Sequence, residues 1–112
     1  MTFEQAWSKY IISLKGKEIY LAYGKKNKIL EVSDEGIKRI TSNGNENFIS
    51  IDVFEYTYNR VNNDGYISRK CINQEFPKRV SSGVIAILKE IHFIELTSNP
   101  ELGLILSKTK QK

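Results

Sequence analysis

The sequence predicts an α+β fold: an N-terminal helix, a small antiparallel β meander, and a second half of short helices closed by a β hairpin. Three observations predict it. Apolar residues recur at helical spacing from Phe3 to Leu14, period-two alternation takes over from Glu18 to Thr41, and helical spacing returns at Ile51 before switching again after Ile91. A chain of 112 residues is one domain by size, and its 40% apolar and 27% charged content suits a folded globule with a modest core. It divides into a helix and meander over 1–47, a second unit over 48–107, and a polar, basic tail over 108–112 that is expected to fray.

In the first helix, Phe3, Trp7, Tyr10, Ile11 and Leu14 form one apolar stripe, with Trp7 as a core anchor. Thr2 and Gln5 match a capping box, and Gly16 is a stop signal. Residues 18–23, 28–32 and 36–41 read as three strands, separated by turns at Gly24–Asn27 and Ser33–Gly36. Tyr20, between inward Ile19 and Leu21, should face out or toward the first helix. Residues 42–47 are all turn formers and predict a loop.

Ser50 is placed to cap a helix over 51–62, whose Ile51, Phe54, Tyr58 and Val61 share a face and which Gly65 ends. Tyr66-Ile67 is a short extended piece. Ser68 caps a short helix from about Arg69 to Gln74, and Ser81 or Ser82 caps a helix over 82–91 that runs straight into a strand. His92–Leu96 and Leu102–Leu106 form a terminal hairpin with its tip at Asn99-Pro100. The order helix, strand, helix, helix, strand, strand is that of a winged helix. The alternative is an unrelated α+β domain with a terminal hairpin.

Residues 48–107 resemble the winged-helix modules attached to bacterial restriction endonucleases and related defence or phage proteins. Ile67-Ser68-Arg69, Lys78-Arg79-Val80-Ser81-Ser82, Ala86-Ile87-Leu88 and the hairpin around Asn99-Pro100 carry the resemblance, which covers about half of the chain. It implies DNA binding without catalysis. The meander has no counterpart in such modules.

Charge agrees with that implication. The net charge is +4 and the pI about 9.2, a mild bias toward anionic partners. Between Arg60 and Lys89 there are six cations and two carboxylates. Winged helices insert the start of the last helix into the major groove. Here Arg79, Ser81 and Ser82 would contact DNA, with Lys78, Arg69 and Lys70 holding phosphates. Lys17, Lys25, Lys26 and Lys28, beside Lys15, form a secondary basic patch around the first hairpin. Opposing this, residues 83–88 are apolar. Either only the first turn touches DNA, or that helix belongs to the core and the fold serves protein contacts.

Enzyme chemistry finds no footing. His92 is the single histidine, which rules out a multi-histidine metal cluster, and Cys71 has no histidine near it in sequence. Asp34, Glu35 and Lys38 fall in a turn with the wrong spacing for a nuclease, and Asp52 and Glu55 suit a helix start. Gly24, Gly36 and Gly44 are isolated, so no phosphate loop is formed. The expectation is a protein with no catalytic residues, metal or cofactor. Its partner is double-stranded DNA or, alternatively, another protein. A lone cysteine and an N-terminus without a signal-peptide pattern predict a reducing cytoplasm, and no apolar run approaches the roughly 18 residues needed to span a bilayer. The oligomeric state is left open.

Overall fold

The computed structural model describes residues 1–76 and 80–107. Helix α1 (Phe3–Ala6) starts on the expected capping box: the Thr2 hydroxyl accepts the Gln5 N–H, and the Thr2 N–H donates to the Gln5 side chain at 2.9 Å. The helix then widens into a π turn over Trp7–Ile11, closed by the Ile12 N–H on the Trp7 carbonyl, and tightens into a 3₁₀ turn over Ile12–Leu14. The changes of pitch keep Phe3, Trp7, Ile11 and Leu14 in the core and leave Tyr10 half-buried at its margin.

Strands β1 (Glu18–Tyr20), β2 (Lys26–Ser33), β3 (Gly36–Ile40) and β4 (Glu46–Ser50) form an antiparallel sheet in chain order. β1 is shorter than expected, because after Tyr20 only the Leu21 N–H still reaches across, to the Lys25 carbonyl, before the chain turns. β2 carries a bulge between Ile29 and Glu31, with Leu30 as the extra residue. β4 corrects the expected loop at 42–47 and moves 48–50 into the meander. Glu46 and Asn47 are poor strand formers. However, pairing Ile37 with Ile49 and Arg39 with Asn47 satisfies the second edge of β3 and brings Ile49 into the core.

Helix α2 (Ile51–Asp64) is capped by Ser50 and ended by Gly65, whose left-handed backbone (φ 84°) returns its N–H to the Val61 carbonyl at 2.8 Å. It runs two residues past its predicted end. Val53, Phe54, Thr57, Tyr58 and Val61 are all buried. This is wider than the predicted stripe, because the meander covers α2 as well.

Strand β5 (Tyr66–Ser68), α3 (Arg69–Glu75), α4 (Ser81–Leu88), β6 (Ile94–Thr97) and β7 (Gly103–Leu106) follow. The second sheet has the antiparallel order β5-β7-β6, so the short strand joins the terminal hairpin. Two details of α4 differ from expectation. Val80 occupies the cap position and supplies no side-chain cap, while Ser81 lies buried inside the first turn. The helix also ends at Leu88. Tight turns follow, with Glu90 bonded to Ile87 and Ile91 to Leu88, and they place both Ile91 and Ile94 in the core where a longer helix would carry the chain past it.

The core runs through both halves. Phe3 packs on Trp7 and Tyr58 at 5.4 and 5.8 Å between ring centres, and Trp7 meets Phe54 edge-on at 5.3 Å. α4 sits at the centre, against α2, α3, β6 and β1. Every residue of it is buried except half-buried Ser82. None of the described helices is long and apolar enough to cross a membrane.

Candidate functional site

Three segments converge on one side of the molecule: the start of α3, the β1–β2 turn and the β3–β4 turn. Ser68 caps α3 by accepting the Cys71 N–H at 3.0 Å, and the Arg69 N–H is tied to the Leu102 carbonyl at 2.7 Å. These bonds fix the backbone from which Arg69 and Lys70 project. The Arg69 guanidinium lies over the ring of Tyr23, 5.8 Å from its centre. That contact joins the two basic clusters. Tyr23 itself is 70% exposed, and Tyr20 57%.

Around the β1–β2 turn, Lys25, Lys26 and Lys28 border an open cleft of about 490 Å³ with Glu18, Thr41 and Ser42. Lys26 pairs with Glu18 at 3.7 Å. Among the described residues, Lys17, Lys25, Lys28, Arg69 and Lys70 form no ion pair. Lys17 stands apart, at the far end of β1, where its carbonyl accepts the Ile29 N–H. A shallow hollow of about 330 Å³ beside Arg69 and Lys70 is completed by Asn73, Glu101 and Leu102.

The predicted contacts at the start of α4 fare differently. Lys78 and Arg79 lie outside the described residues. Ser81 is 4% exposed. Ser82 is half-buried and faces a polar cavity under the meander, lined also by Lys25, Arg39, Asn27, Asn43 and Asn47 and holding about 290 Å³. Arg39 is its centre and is 5% exposed. Its Nε donates to Asn47 Oδ1 at 2.8 Å and its Nη1 to Asn27 Oδ1. The guanidinium lies against the first turn of α4, so closely that a Cβ on Gly83 would collide with it. No carboxylate pairs with it among the described residues, and burial pulls its pKa below the ordinary arginine value.

No protein-family model, curated protein or solved structure matches the chain.

The Arg39 cluster is what sequence reading missed, and a signal for it exists. Asn27 is in phase with inward Ile29, Arg39 with Ile37, and Asn47 with Ile49. Buried Asn27 and Arg39, with exposed Asn47 in the same phase at the same end of the next strand, mark a polar pocket. Recognising it needs β4, whose first two residues, Glu46 and Asn47, fall within the expected loop.

The groups weighed for catalysis stay apart. His92 is exposed in the turn between α4 and β6. Cys71 is half-buried with its Sγ 3.8 Å from the Tyr56 hydroxyl, which also accepts a bond from Arg60 at 2.7 Å. Lys38 pairs with Glu46 at 3.3 Å, not with Asp34 or Glu35. Among the described residues no group of three or more His, Cys, Asp or Glu is placed to hold a metal ion.

Proposed function

We propose that this chain is a non-catalytic binding module for double-stranded DNA, of winged-helix build, serving a restriction- or phage-related system or acting as a small regulator. The carrying observation is the Arg69–Tyr23 contact. It gathers Arg69, Lys70, Lys25, Lys26 and Lys28, which the sequence scatters over both halves, onto one surface with two exposed tyrosines. The mode differs from a helix laid in the major groove. α4 is enclosed by protein and has almost no side chain left to read a base edge. The basic surface suits phosphates, so binding favours the backbone over sequence.

The test is duplex affinity measured at two salt concentrations. Log affinity should fall with log salt by about 0.9 per phosphate contacted, and Arg69→Ala and Lys25→Ala should each lower that slope by about one. Absence of duplex binding at low salt would overturn the reading. Arg79→Ala reports on the segment before α4: a loss of about 1–3 kcal/mol there with stability retained marks a direct contact.

A second reading, a protein-interaction module, is favoured by a different feature. Phe48 is 53% exposed at the lip of a groove of about 480 Å³ lined by Ile49, Val53, Phe76 and Val80, with Ser50, Asp52 and Glu75 also lining it.

A further inference from the structure

We infer that the cavity around Arg39 is a binding site for a phosphate-type oxyanion. A guanidinium held inside a protein normally faces a carboxylate, because an unpaired buried charge is costly. Among the described residues Arg39 has two neutral amides as partners, and both accept through oxygen: Asn47 from Nε and Asn27 from Nη1. Every fully buried side-chain nitrogen and oxygen among the described residues has a partner, so Nη2, which has no bond, is not fully sealed, and Arg39 lines the cavity.

The rest of the lining has the same polarity. Lys25 adds a second cation, Asn43, Asn47 and Ser82 bring amide and hydroxyl groups, and among the described residues no carboxylate lines the cavity. The first turn of α4, which receives no side-chain cap, brings the positive end of a helix against the same guanidinium. Two cations and a helix start repel one another until an anion sits among them. A structural role for Arg39, bracing the meander against α4, accounts for Nε and Nη1. It does not account for the open edge, for Lys25, or for the missing counter-charge. About 290 Å³ lies at the small end of ligand cavities and suits a compact anionic group. Guanidinium geometry favours a planar or tetrahedral oxyanion over a halide.

The cavity adjoins the proposed DNA surface through Lys25 but does not depend on it. The test uses the full chain and inorganic phosphate, with chloride holding ionic strength constant. The readout is the Arg39 Nε–H resonance, sheltered by its bond to Asn47, together with the side-chain amides of Asn27 and Asn47. Phosphate should move these signals saturably while chloride leaves them still. Arg39→Met should weaken phosphate binding about tenfold or more, as expected for loss of a charge-assisted contact. Lys25→Gln, at an exposed position that the fold does not need, should weaken it by a smaller factor, and it serves as the probe if Arg39→Met does not fold.

No phosphate effect beyond chloride, or an effect unchanged in a folded Arg39→Met and in Lys25→Gln, overturns the site. Competition by duplex DNA would identify the nucleic-acid backbone as the source of the phosphate, and duplex binding without displacement would identify a free phosphate compound. Phosphate binding in a protein that ignores duplex DNA upholds the cavity and removes the DNA reading.

Discussion

Tyr58 ties the first residues of the chain to α2: its ring is buried against Phe3 and its hydroxyl donates to the Met1 carbonyl at 2.6 Å. Burial, with Tyr10 nearby as a lesser cause, raises its pKa above the ordinary 10. In the unfolded chain the phenol ionises near pH 10, while in the folded chain it holds its proton longer. The proton therefore favours the folded state fully below about pH 10, and that stability drains away as pH climbs through the folded value. Tyr58→Phe should cost about 1 kcal/mol at neutral pH through the lost hydrogen bond, and it should flatten the alkaline fall in stability. Denaturant titrations across the alkaline range check both, and an unchanged alkaline limb would assign that fall to other groups. Gly103 gives a second prediction at this scale. A Cβ there would collide with the Ile67 carbonyl and lie 2.8 Å from Ser68 Cα, and both are backbone. Gly103→Ala should therefore cost about 1–3 kcal/mol, with the loss of amide protection concentrated on β5.

Among the elements, those that announce themselves locally were legible. Thr2, Ser50 and Ser68 each cap the helix predicted for them, and Gly65 ends α2, because capping depends on a few neighbouring residues. The terminal hairpin followed from the return of period-two alternation after Ile91. What escaped depends on distant partners. β4 exists because β3 offers an edge, and neither Glu46 nor Asn47 advertises a strand. Ser81 looked like a cap and lies in the core because the meander closes over α4, a contact that no local pattern encodes. In the candidate site, the clusters at Lys25–Lys28 and Arg69-Lys70 were visible as charge, but their meeting through Tyr23 was not. Three substitutions test the element assignments. Ile49→Ala should cost about 2–5 kcal/mol if β4 is a core strand, and little if 46–50 is a surface loop. Ile87→Ala should cost a similar amount, since α4 is enclosed, whereas Asn73→Ala on exposed α3 should stay within about 0.5 kcal/mol. Chemical denaturation with a constant m-value measures all three.

At the scale of the whole molecule, the two halves behave as one body. α1 and the meander cover the same helices that the second sheet covers from the other side, so neither half has a complete core of its own. A fragment spanning 48–107 would expose Phe54, Tyr58 and α4 where Trp7, Phe3 and the meander now pack. Such a fragment should show no cooperative thermal transition by circular dichroism, while the full chain melts in one step. A cooperative melt of the fragment would make the meander an appendage.

The Phe3–Tyr58 and Trp7–Phe54 contacts also bear on how the protein is made. A ribosome delivers the α1 stripe and the meander first, at about 5–20 residues per second. Ile11, Ile19, Ile29 and Ile37 therefore wait in water until α2 and then α4 leave the exit tunnel. For those seconds the nascent chain presents an apolar sheet face and the open edges of β1 and β4, the combination most open to mispairing with another chain. Lysines alternate with the core residues of these strands, at Lys26, Lys28 and Lys38 on the outer face. Together with Glu18 and Glu46, with which Lys26 and Lys38 pair, they make the outer face charged and so less open to apolar mispairing.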